Sequence, residues 1–64
     1  MALSKFQAVK MGSEHFTLVR SAADSAGRPA LAQDFRRRAA VLRQALQMHG
    51  WQLLPDGINV ERIR

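Results

Sequence analysis

The residues best suited to chemistry in this chain are its arginines. Arg36, Arg37 and Arg38 stand in a row, Arg43 follows seven residues after Arg36, and Arg62 and Arg64 lie two apart at the end. A guanidinium is always charged and presents its donors as a planar fork that matches phosphate and carboxylate oxygens. On a helix, consecutive residues point about 100° apart, so the triplet cannot form one patch. Arg36 and Arg43 do share a face, with Ala40 and Gln47 between and beside them. Small neutral neighbours there permit close approach of a phosphate backbone, and such contacts give affinity with little sequence discrimination. Lys5 and Lys10 add cations near the start. The candidate partner or nucleic-acid binding residues are therefore Lys5, Lys10, Arg36, Arg37, Arg43, Arg62 and Arg64.

Other chemistry finds little support. The two histidines, His15 and His49, form no spaced pair, and there is no cysteine. That removes thiol catalysis, disulfides and thiolate metal sites together. Glu14, Asp24, Asp34, Asp56 and Glu61 are scattered, and Asp24 and Asp56 have the character of turn residues. No Gly-rich phosphate loop or paired-histidine helix is present. The expectation is a protein that is not an enzyme and has no cofactor and no metal. Trp51, beside arginines, has the chemistry to stack a base. Following a helix-ending glycine, it is expected to pack under the helix instead, and Phe6, Phe16 and Phe35 are expected to pack as well.

Composition points the same way. Ten Lys and Arg oppose five Asp and Glu, a net charge of +5 over 64 residues. A small domain with this excess attracts polyanions or acidic protein surfaces. A chain so short forms a single domain, residues 1–64, and buries only roughly 60% of its unfolded surface. Its core is small, and a homodimer is one means of support. No apolar run approaches the length of a membrane span, and the start lacks the apolar region of a signal peptide. A soluble cytoplasmic protein is expected.

The clearest element is a helix over residues 29–49. Pro29 suits its first position and Gly50 the position just past its end. Leu31, Phe35, Ala39, Leu42, Ala45 and Leu46 make its apolar stripe. Arg38 falls within that stripe, four residues after Asp34, the acid-first order of an ion pair. His49 suits a capping role at the negative end of the dipole. Pro55-Asp56-Gly57 is a turn signal, and Ile58, Val60 and Ile63 mark a β-prone run.

Residues 1–26 support two structures. As strands, residues 3–11 and 15–22 flank a turn at Gly12-Ser13-Glu14, and Phe6, Val9, Phe16, Thr17 and Val19 suit a sheet. As a helix, Ser13 serves as N-cap and Gly27 as C-cap, with Phe16, Val19, Ala23 and Ala26 as the apolar stripe. The hairpin is favoured because it supplies a sheet for the C-terminal strand to join. The expected fold is a small α+β domain of order β-β-α-β. The alternative is one strand followed by two helices, the ribbon–helix–helix order, in which paired strands of two chains enter the DNA major groove.

The C-terminal half also resembles a known family. Ala45-Leu46, Trp51-Gln52, Pro55, Gly57 and Val60 with Arg62 and Arg64 look like the corresponding stretch of the small RNA polymerase inhibitor proteins of short-tailed coliphages. Lys5-Phe6 and Ser13-Glu14-His15 echo that family's first strand and turn. The resemblance implies a hairpin–helix–strand fold and polymerase contacts by Arg62 and Arg64. The family's helix and preceding loop are acidic, whereas Arg36, Arg37, Arg38 and Arg43 occupy that region here. Two functions are expected from these features. The first is a non-enzymatic, regulatory nucleic-acid-binding protein, with DNA as ligand. The alternative is a phage-like protein that binds and inhibits a host protein such as RNA polymerase.

Overall fold

The computed structural model describes residues 3–63. Two antiparallel-packed helices come first, α1 (Lys5–Asp24) and α2 (Pro29–Met48). A short hairpin of β1 (Trp51–Leu53) and β2 (Val60–Arg62) follows. The order α-α-β-β replaces the expected β-β-α-β. It also excludes the strand-first ribbon–helix–helix order, because the described strands come last. The hairpin–helix–strand order implied by the family resemblance is overturned with it.

The stretch expected to be two strands is one unbroken helix. Ser4 starts it with a capping box: its Oγ accepts from the Gln7 N–H at 3.1 Å, and Gln7 Oε1 accepts from the Ser4 N–H at 3.3 Å. Two of the orphan donors of the first turn are thereby satisfied. Ser13 is thus mid-helix and not an N-cap. Thr17 Oγ1 donates back to the Ser13 carbonyl at 3.1 Å, which accommodates a mediocre helix former within the helix. The C-cap is Ser25 and not Gly27. The buried stripe of α1 is Ala8, Gly12, His15 and Ala22, at spacings of four, three and seven. Phe6, Val9, Phe16 and Val19, whose β propensity favoured a sheet, stand on the outside, as do Ala23 and Ala26. Phe6 is 79% exposed, so the packing expected of it does not occur, and Phe16, 39% exposed, packs only at the margin.

Helix α2 matches its sequence expectation to within a residue. Pro29 occupies the start, His49 is the C-cap through its backbone N–H, and Gly50 adopts φ 85°. That left-handed conformation would cost a side-chain-bearing residue about 1–2 kcal/mol. Its buried line is Ala32, Ala39 and Leu46, with Phe35, Leu42 and Ala45 half-buried. Leu31, expected in the core, lies at its margin, 39% exposed. Arg38 and Asp34 form the expected pair at 3.2 Å in a well-solvated position, where such pairs contribute little.

The C-terminal strand closes no larger sheet. It pairs with the residues just before the turn, in the register Trp51↔Arg62, Gln52↔Glu61 and Leu53↔Val60. An isolated two-stranded hairpin is marginal in water, so packing on the helices must hold it. Trp51 is buried against Ala8 and Leu46, with Leu3, Met11, Leu53 and Val60 around them. Asp56 organises the turn: its carboxylate accepts from the Ile58 N–H at 3.0 Å, the Asn59 N–H at 2.9 Å and the Asn59 side chain at 2.6 Å. Gly57, at φ 76°, supplies the left-handed turn residue that Pro55-Asp56-Gly57 announced.

Two contacts lock the hairpin onto α1. Gly12 leaves a gap into which the Ile58 carbonyl settles; a Cβ at residue 12 would lie 2.2 Å from that oxygen. One turn later, buried His15 binds the Gly57 carbonyl through Nδ1 at 2.9 Å. A neutral ring protonated on Nδ1 donates to that carbonyl.

Candidate nucleic-acid interface

The helices meet along a narrow seam. The buried residues of both are mostly alanine and glycine, which allow close approach but supply little volume. Larger side chains are displaced to the two flanks of the seam. The result is a two-helix layer with a different groove on each side.

One groove carries Arg36 and Arg43 on α2, as the helical spacing predicts. His15, Val19, Ala22 and Ala23 of α1 form its other wall, and Ala39 and Ala40 complete it. No acidic residue lines it. Arg43 also borders an adjoining hollow with Gln47, Gln52, Leu53, Leu54, Pro55 and Gly57, so the groove continues onto the hairpin. Seven residues of helix place Arg36 and Arg43 about 10.5 Å apart along the axis. Among the described residues the ion pair is Arg38–Asp34, which leaves Arg36 and Arg43 without carboxylate partners.

The remaining candidates fall elsewhere. Arg37 lies on the opposite groove with Arg38, Glu14, Thr17, Leu18, Val41 and Leu42. Lys5 and Arg62 line one hollow at the N-terminal end of α1, with Trp51, Val60 and Glu61. There the Arg62 guanidinium stands 5.1 Å from the Trp51 ring centroid, a cation–π contact across the register pair. Trp51 itself is buried, so it packs as expected and presents no stacking surface. Lys10 is exposed on α1 and lines none of these grooves. Arg64 lies outside the described residues. The six described candidates thus do not form one patch; Arg36 with Arg43 and Lys5 with Arg62 are the pairs that share a groove.

Three of the five acids are locally occupied, Asp34 by Arg38 and the other two within the hairpin. Asp56 is held below its ordinary carboxylate pKa of 3.8, first by the Ile58 backbone N–H and then by those of Asn59. Glu61 accepts from Gln52 Nε2 at 2.6 Å. His15, Val19 and Ala22 were not expected at the site. Their signal was the Ser4-x-x-Gln7 capping pattern, which marks α1 as a helix and sets its phase. Among the described residues no cluster of three His, Cys, Asp or Glu could hold a metal, and no helix is long and apolar enough to cross a membrane. No known protein family, curated protein or solved structure matches the chain.

Proposed function

We propose that this protein is a non-enzymatic regulator that binds nucleic acid, in the first instance duplex DNA, through the Arg36–Arg43 groove. The observation that supports this reading most is the groove's single sign of charge: two unpaired arginines, small neutral residues between them and no acid. Guanidinium groups at that spacing suit contacts to phosphates. The alanine floor suits backbone approach and offers no hydrogen-bonding array for base edges, so binding should be weakly sequence-dependent. The assay is fluorescence anisotropy with mixed-sequence duplex over a salt series. A log–log slope should appear, with each neutralised phosphate contributing about −0.9. Replacing Arg36 and Arg43 together by Ala should make the slope shallower by about 2. No binding at about 50 mM salt, or an unchanged slope in the double variant, would refute the reading.

A second reading takes a protein as partner, with RNA polymerase inhibition as its specific form. The exposed apolar side chains of α1, Phe6, Val9, Phe16 and Val19, favour it, because apolar contact area is what a protein surface can cover. Its assay is binding of nuclease-treated protein to purified bacterial RNA polymerase. Capture that Arg62→Ala leaves unchanged would detach this reading from the family resemblance.

A further inference from the structure

We propose that a second copy of this chain docks on the groove opposite Arg36 and Arg43, pairing two helical hairpins face to face as a two-fold four-helix bundle. The floor of that groove is Leu18, Val41 and Leu42. Leu18 and Leu42 are only half-buried, and Val41 is 61% exposed. By helical period Phe35 and Ala45, also half-buried, lie on the same side of α2.

Charge selects the occupant. The rim has Glu14 on α1 and Arg37 and Arg38 on α2. A two-fold interface sets each residue against its counterpart's neighbour, so i meets j and j meets i. Glu14 of each copy can then face Arg37 of the other. At +5 per chain, self-association needs a face where acid meets base. The Arg36–Arg43 groove offers no acid, so two copies of it would repel.

The chain exposes 4806 Å², about 700 Å² more than a compact monomer of its mass, so it has surface to bury against a partner. The core gives a reason for it as well: Leu46 is the largest fully buried side chain, a thin basis for an independent monomer.

Sedimentation equilibrium on nucleic-acid-free protein tests the proposal. At about 10 µM, where a micromolar interface is substantially occupied, the average mass should approach twice the 7.2 kDa of the chain. Val41→Glu should return it to the single-chain mass with helical circular dichroism retained, because Val41 is not part of the monomer core. Glu14→Arg and Arg37→Glu should each weaken the dimer at least tenfold, and the two together should restore part of the loss. A spin label on Val41→Cys, the sole thiol of that variant, should broaden the methyl signals of Leu18 and Leu42 in an unlabelled copy. A single-chain mass at about 100 µM, where even weak interfaces fill, overturns the proposal. So does a dimer that survives Val41→Glu, or a spin label without effect across copies. Dissociation by Phe6→Ser with Phe16→Ser, but not by Val41→Glu, would place the interface on the α1 stripe and equally overturn it.

Discussion

Replacing Gly12 by Ala reverses the ordinary rule for helix interiors. Alanine should stabilise a mid-helical position by about 1 kcal/mol relative to glycine. At residue 12, however, the added Cβ would lie 2.2 Å from the Ile58 carbonyl oxygen and 3.1 Å from Val60 Cγ1. The nearer atom is backbone, so it cannot rotate away; the hairpin must move off α1 by about 1 Å to reach ordinary contact. Overpacking of this kind costs typically about 1–3 kcal/mol. The same movement stretches the bond from His15 to the Gly57 carbonyl, now 2.9 Å, which contributes about 1 kcal/mol. Set against the propensity gain, the net loss is about 2 kcal/mol. In a domain of this size that lowers Tm by about 8–16 °C. Gly27→Ala is the internal control, because nothing lies within 4 Å of its added Cβ and its φ is not positive. It should be neutral or stabilise by about 0.4–1 kcal/mol through the unfolded state. Thermal and urea unfolding followed at 222 nm, at one protein concentration, measure both. A Gly12→Ala protein as stable as its parent would refute the described seating of the hairpin on α1.

Two further perturbations probe the hairpin. Trp51→Ala removes the largest side chain of the core cluster and should cost about 3–5 kcal/mol, leaving the chain largely unfolded at room temperature; Trp51→Phe should cost far less, because the buried Nε1 makes no hydrogen bond among the described residues. The discriminating measurement is the difference in urea midpoints between the two variants. The carboxylate of Asp56 has a folded pKa below its ordinary 3.8, so it binds protons less readily when folded. Its contribution is present above about pH 3.8 and is lost as pH falls through the lower folded value. Acid titration should therefore show hairpin loosening below about pH 4, and Asp56→Asn should flatten that part of the profile; an unchanged acid limb would show that the turn bonds do not couple to stability.

The legible and illegible parts of this fold have a common physical cause. Helix α2 is announced by Pro29 and Gly50, whose backbone chemistry acts locally, and the hairpin turn by Pro55-Asp56-Gly57 for the same reason. Helix α1 is obscured because large residues ordinarily mark a core. In α1 the reverse holds: Phe6, Val9, Phe16 and Val19 face outward, while Ala8, Gly12 and Ala22 form the contact. A seam selected for close approach is recorded in small residues, and hydrophobic periodicity weighted by size passes over it. Ser4-x-x-Gln7 was the local signal that outweighs the β propensity of Thr17 and Val19. The candidate site divides along the same line. Arg36 and Arg43 were placed by the period of α2 alone, whereas the wall of His15, Val19, Ala22 and Ala23 depended on the phase of α1.

The narrow seam also makes the two proposed surfaces compatible. Arg36 and Arg38 are two residues apart, about 200° around the helix, so they point into opposite grooves. Covering Leu18, Val41 and Leu42 with a second copy leaves Arg36 and Arg43 on the outer side of each hairpin. A dimer would then carry two one-signed grooves on one rigid body. The second groove would engage a long polyanion at high effective concentration once the first is bound, provided the DNA reaches both. Affinity for long duplex would then depend on Val41 although Val41 touches no phosphate, whereas affinity for a duplex too short to span both grooves would not. The length dependence of binding therefore separates a lost interface from a damaged groove: the first spares short duplexes, and the second weakens both.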